Sequence, residues 1–171
     1  MSTTIVTTDR LILRSAQASD FEPLFSTVFS DPVVMQYLSA DQMGHDEAAQ
    51  FFADAFDHEG TGRKIGILAE RGSGAVIGYA GLKPCDALGE DDFEFGFVLQ
   101  RAAWGKGYAT EIGLAQLDYG FRTIDRPRML AQVMPANAGS ANALLKLGMV
   151  FVKEYERPQR GMWHVYCLER E

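Results

Sequence analysis

Trp104-Gly105-Lys106-Gly107-Tyr108-Ala109-Thr110-Glu111 is the stretch on which the reading of this chain turns. It follows the strand-like run Phe93-Glu94-Phe95-Gly96-Phe97-Val98-Leu99 and opens a long apolar segment of helical character. Two glycines one residue apart, at a strand-to-helix turn, let the backbone approach an anion with no Cβ in the way. The first amides of the helix behind them lack intrahelical partners and carry the positive end of the helix dipole. Together these features describe a pyrophosphate cradle. A tight turn that needs glycine for steric reasons alone would show the same pair, so the rest of the chain has to decide.

Three other phosphate-binding patterns fail on spacing. A P-loop, GxxxxGK followed by Ser or Thr, requires glycine where Gln100 stands and a hydroxyl where Gly107 follows Lys106. A dinucleotide fingerprint, GxGxxG, requires its third glycine at Thr110. The kinase set lacks its HRD and DFG partners. What remains resembles the loop of the GNAT acetyltransferase superfamily, where Gln or Arg, two further residues, Gly, one residue and Gly or Ala wrap the pyrophosphate of coenzyme A.

The resemblance extends along the chain. Thr8-Asp9-Arg10-Leu11-Ile12-Leu13-Arg14 and Ser30-Asp31-Pro32-Val33-Val34-Met35 are similar to the opening segments of the branch that holds the ribosomal-protein N-terminal acetyltransferases. Asn137-Ala138-Gly139-Ser140, with Lys146-Leu147-Gly148-Met149 after it, is similar to that branch's later Asn…Ser…Lys-x-Gly segment. Four separated segments occur in the family's order. The resemblance implies an α/β (mixed α+β) chain with the acyl-CoA N-acyltransferase fold, a twisted mixed sheet flanked by helices. It implies acetyl-CoA as cosubstrate, no metal, and direct attack of a primary amine in a ternary complex. The amine is a protein N-terminus or a small amine. A noncatalytic acyl-CoA-binding sensor or scaffold on the same fold is the alternative, and homodimers are common among relatives.

Element by element, Leu11 and Leu13 alternate with Ile12 and Arg14 as a first strand would. Ser19-Asp20-Phe21-Glu22 reads as a capping box ahead of a helix to about Phe29, and Asp31-Pro32 as a second helix start. A third helix is expected over 46–58, stopped by Gly60. A β-hairpin follows over 64–71 and 75–83 around Gly72-Ser73-Gly74, then an acidic loop and the strand 93–99. The segment 108–122 is apolar nearly all round and is expected to lie buried on a sheet. A strand at 129–134, a helix at 138–147 ended by Gly148, and a strand pair at 149–156 and 163–170 complete the chain.

The resemblance carries roles onto particular residues. Val98 and Leu99 end the strand whose free backbone pairs with pantetheine in the family and faces the thioester carbonyl. They are also ordinary core strand residues, and both readings hold together. Gly105, Lys106, Gly107, Ala109 and Thr110 would meet the pyrophosphate, with Lys106 either a phosphate contact or a solvated lysine. The family's Gln or Arg before the loop is Ala102 here. Asn137 is a helix cap or a cofactor contact, and Ser140 falls beside it. Many relatives place a thiolate-protonating Tyr seven residues after this Asn; Leu144 occupies that position, so Ser140 or a bound water is left as general acid. Glu94 shares a strand face with Gly96 and Val98, where a carboxylate can act as base through water or serve as a structural strand residue. Glu111, in the first turn of its helix, suits the dipole and is read as structural. His45, His58 and His164 form no cluster.

Length and composition fit this picture. The chain has 171 residues and a formal net charge of −7, which accommodates one domain over 1–171 with a real core. The charge disfavours nonspecific nucleic-acid binding and suits a cationic substrate, though acidity also serves plain solubility. No apolar run approaches a membrane span, no basic and apolar leader opens the chain, and Cys85 and Cys167 fit no ligand spacing. A cytoplasmic protein with reduced thiols is expected.

Overall fold

The computed structural model describes residues 1–38 and 41–171. Among these are the strands β1 (Thr4–Thr7), β2 (Leu11–Arg14), β3 (Ile65–Glu70), β4 (Val76–Cys85), β5 (Asp92–Leu99), β6 (Arg128–Val133), β7 (Val150–Arg157) and β8 (Gly161–Glu169). The helices are α1 (Phe21–Leu24), α2 (Pro32–Met35), α3 (His45–Ala55), α4 (Tyr108–Arg122) and α5 (Ala138–Lys146). The strands form one sheet in the order β1-β2-β3-β4-β5-β6-β8-β7, antiparallel except where β5 meets β6. This is the mixed α/β sheet flanked by helices that the resemblance implies.

The hairpin β3–β4 and the bounds of α4 fall where the local pattern puts them. Three expectations shift. The short strand β1 was not foreseen, because four residues with only Ile5 and Val6 apolar show too little alternation; it gains its place by pairing with β2 across a bulge. The capping box lies two residues earlier than Ser19: the Gln17 amide donates to Asp20 Oδ2 at 2.8 Å, and Glu22 instead faces His45. Arg14 holds the same Asp20 carboxylate through two bonds of 2.8 Å, a long-range pull that a local reading omits. Lastly, α3 stops at Ala55, short of the expected 58. Phe56 turns extended, bridges Ile65 in parallel and buries its ring. The Asp57 carboxylate then accepts from the amides of Gly60, Thr61 and Gly62 at 2.8, 3.0 and 2.7 Å.

Helix α4 is less uniformly buried than its composition suggests. Ile112, Gln116, Leu117 and Gly120 face the sheet, while Leu114 is exposed. Its small residues set the packing distance: a Cβ on Gly120 would lie 2.5 Å from the Met129 sulfur, and one on Gly113 would lie 2.6 Å from Leu147. The helix therefore sits tight against β6 and α5. Among the described residues, no helix is long and apolar enough to cross a membrane.

The feature that positions the site lies between β5 and β6. Their parallel ladder registers at Glu94 with Leu130 and goes no further. Beyond that pair the strands part, and Gln116 of α4 donates to the carbonyl of Gly96 at 3.1 Å. A split sheet leaves backbone groups without strand partners, which a ligand can satisfy.

Candidate active site

At the far end of β5, a turn of 3₁₀ helix (Arg101–Ala103) delivers the chain to the two glycines. Gly105 has φ +73° and Gly107 φ +80°, left-handed conformations in which side chains other than glycine are strained. A Cβ on Gly105 would meet nothing within 4 Å, and one on Gly107 only Arg10 Nη2 at 3.5 Å. Among the described residues, the space before the loop is thus open, and no side chain caps the first amides of α4. An anionic group fits that arrangement of uncapped N–H groups at the positive end of a 15-residue helix.

The loop is clamped from behind. Glu111 Oε1 accepts from the Thr8 hydroxyl at 2.6 Å and the Arg10 amide at 3.0 Å, while its Oε2 accepts from Arg10 Nε at 2.7 Å. Arg10 Nη1 also donates to the Lys106 carbonyl at 2.8 Å. Burial pushes the Glu111 carboxyl upward, but the bonds from Thr8 and Arg10 outweigh it and hold the group below its ordinary value. The structural reading of Glu111 agrees with this geometry, and the Thr8-Asp9-Arg10 segment gains a purpose. Trp104 was missed: its indole N–H donates to the Leu99 carbonyl at 2.8 Å and fixes the strand end against the loop.

Two cavities meet at the split. The smaller, of about 450 Å³, is lined by Leu99, Gly105, Gly107, Tyr108, Ala109 and the start of α5. The larger, of about 570 Å³, runs under α2 and α3 to Glu94. Phe97, Val98, Asn137 and Ser140 line both, so the junction falls where the strand end faces the N-terminus of α5. Of the anticipated residues, Val98, Leu99, Gly105, Gly107, Ala109, Asn137, Ser140 and Glu94 all border this space. Lys106 and Thr110 line neither cavity; the Lys106 ammonium lies 5.9 Å from the centre of the Tyr108 ring. The three histidines are elsewhere: His45 and His58 are hydrogen-bonded to Glu22 and the Phe52 carbonyl, and His164 lies 3.7 Å from Glu154.

Asn137 caps α5, its Oδ1 accepting from the Ser140 amide at 3.2 Å. Its Nδ2 donates to Ser140 Oγ at 3.0 Å. Because that hydroxyl oxygen is already an acceptor, its own hydrogen is left to point elsewhere. Leu144 is buried and lines the larger cavity.

Glu94 is 7% exposed and heavily engaged. Lys83 Nζ lies 3.2 Å and Arg157 Nη2 3.7 Å from Oε1, and Gln132 donates to Oε2. Arg157 Nε in turn donates to Gln132 Oε1 at 3.2 Å and stacks 4.4 Å over the Trp163 ring. Two cations thus hold the Glu94 carboxylate at the floor of the cavity. Burial first, then the charge of Glu94, pushes the nearby Cys85 thiol up to about 11, so it is neutral at physiological pH. The cross-strand partner Lys83 follows from the hairpin register; Gln132 and Arg157 come from distant strands and left no local signal.

A sequence model of the acetyltransferase (GNAT) domain matches residues 10–150. The YkkB protein of Bacillus subtilis (strain 168) is 31% identical over 150 residues, covering 88% of this chain and 87% of its own. A GNAT-family acetyltransferase from Bacillus anthracis superposes with a TM-score of 0.81 at 23% identity, over 99% of this chain and 98% of that one. A spermidine N-acetyltransferase from Vibrio cholerae, solved with CoA and spermine, superposes with a TM-score of 0.74 at 16% identity, over 95% and 96% of the two chains. With the family model spanning most of its length and a glycine loop opening onto a split sheet, this chain belongs to the GNAT acetyltransferase family.

Proposed function

We propose that the chain moves the acetyl group of acetyl-CoA onto a primary amine, by direct attack with both substrates bound. The observation that carries this reading is the junction of the two cavities at Val98, Asn137 and Ser140. The loop Gly105–Gly107 and the first turn of α4, with Ala109 and Thr110, would hold the pyrophosphate. The split edge of β5 at Val98 and Leu99 would face the pantetheine arm. Acetyl-CoA, when bound, supplies an activated acyl group on a good leaving thiol.

The chain's own residues then have few tasks. Holding both reactants at one junction removes a large entropic barrier, worth roughly 7–11 kcal/mol in the most favourable cases. Glu94 attracts the incoming ammonium and receives its proton, directly or through water. Lys83 and Arg157 hold its carboxylate at the cavity floor. Ser140, with its hydrogen free and the N-terminus of α5 behind it, donates to the departing sulfur. The chain is proposed to act as a single domain over residues 1–171, in the cytoplasm, with a small amine or a protein N-terminus as acceptor.

The test is acetyl-CoA turnover across a panel of amino acids, polyamines, aminoglycosides and N-terminal peptides, alongside CoA binding by calorimetry. Turnover with any amine supports the reading. Tight CoA binding without turnover on any amine would favour the noncatalytic reading, to which the buried Leu144 in the usual Tyr position lends some support.

A further inference from the structure

We infer that the larger cavity is built for an amine that also carries an oxyanion, a carboxylate in the first instance, and not for a polyamine or a basic peptide end. The inference rests on the acetyl-transfer reading above and narrows its acceptor.

The chain as a whole is acidic, with a net charge of −7. The cavity reverses that sign. Arg63, Lys64, Lys83, Arg157 and Arg160 line it, against the carboxylates of Asp54 and Glu94 alone. Lys83 and Arg157 share Glu94. Among the described residues, Arg63, Lys64 and Arg160 have no carboxylate within 4.0 Å. Cations gathered on a concave wall and left without counterions focus a positive potential into the cleft. A doubly or triply charged polyamine entering there would find two carboxylates, Asp54 and the already paired Glu94, against five cations. A molecule with one ammonium and one carboxylate meets a match at both ends: Glu94 at the floor for the ammonium, the unpaired cations for the carboxylate.

Tyr79 supplies an independent sign. Its side chain is 8% exposed, lines the same cavity, and sits among the rings of Phe29 and Phe56. Its hydroxyl has no hydrogen-bond partner among the described residues and is not sealed from the cavity, so its hydrogen is available to a ligand there. Burial holds that hydroxyl protonated, against an opposing pull from the positive charge of Arg160. A neutral O–H donor within the field of an unpaired guanidinium is a two-point receptor for an oxyanion. The surrounding wall includes Met43, Phe51 and Phe95, so the body of the ligand is apolar.

Calorimetry on the full chain provides a readout that needs no turnover. N-acetylphenylalanine should bind about tenfold tighter than N-acetylphenylalaninamide, the difference being one charge. In acetyl-CoA assays, phenylalanine should exceed phenylalaninamide in kcat/KM by a similar factor, and spermidine should fall below both. Comparing 2-aminoethylphosphonate with β-alanine distinguishes a phosphonate or phosphate preference from a carboxylate one. Arg160→Gln, in an exposed turn, should erase the acid-over-amide preference through KM while CoA affinity stays unchanged; Tyr79→Phe should reduce it in part. Equal binding of acid and amide, spermidine as the best substrate, or an intact preference in Arg160→Gln would overturn the inference. Failure of CoA itself to bind would instead defeat the acetyl-transfer reading, with the product titration still reporting on the anion site.

Discussion

Glu111 and Arg10, a hundred residues apart in sequence, are joined at 2.7 Å, carboxylate oxygen to guanidinium Nε. The same arginine holds the Lys106 carbonyl, so one side chain links the first turn of α4, the glycine loop and the segment between β1 and β2. The glycine loop is therefore shaped from outside itself.

Glu111→Gln should cost about 1–2 kcal/mol of stability at neutral pH, allowing for the half-exposed arginine, and should weaken CoA binding by freeing the loop. The Glu111 carboxyl is held below its ordinary value of 4.5 in the folded chain. The stability it contributes is accordingly present above that value and lost as pH falls through the lower, folded one. Urea midpoints of wild type and variant should differ most at pH 7 and converge in acid; a constant gap would place the effect elsewhere.

Gly107→Val should lower CoA affinity by about tenfold or more. Left-handed backbone costs an L-residue roughly 1–2 kcal/mol, and the new Cβ would lie 3.5 Å from Nη2 of Arg10, the side chain that clamps the loop. Gly107→Asn, which tolerates the same backbone better, should lose less. Unchanged affinity in a folded Gly107→Val variant would remove the loop as the pyrophosphate site.

Glu94→Gln keeps volume and most hydrogen bonding but leaves Lys83 and Arg157 without their anion. The rate should fall by about 10²–10⁴, and most at low pH, where the amine is protonated and its deprotonation limits. A pH profile of kcat/KM that keeps its shape in the variant would exclude Glu94 from proton transfer.

Ser140→Ala should reduce kcat by about 10²-fold or less, the low end for a general acid because a thiol leaves readily. CoA affinity should hold, because Asn137 caps α5 through the backbone amide of residue 140, which alanine retains. Loss of affinity without loss of kcat would make Ser140 a cofactor contact only.

The unit from β5 through the glycine loop to α4 was legible because everything that specifies it is local. Positive φ at Gly105 and Gly107 demands glycine, the uncapped helix start follows directly, and α4 runs from Tyr108 to Arg122 as its pattern predicts. The Asn137 cap and the hairpin β3–β4 are equally short-range. Residue types and spacing alone thus placed the glycine turn, the helix behind it and the strand that leads into it.

Only the tertiary structure decided what lines the larger cavity. The end of α3 is set by the bridge from Phe56 to Ile65, and β1 exists through its pairing with β2. The Glu94 carboxylate is held by Lys83 on β4, Gln132 on β6 and Arg157 on β7. The cavity is cationic although the chain is acidic, because net charge sums over the sequence whereas a potential depends on which side chains the sheet gathers into one concave wall. Hydrogen bonds and charges between distant strands have no period and no motif, and their pattern appears only once the strands are side by side.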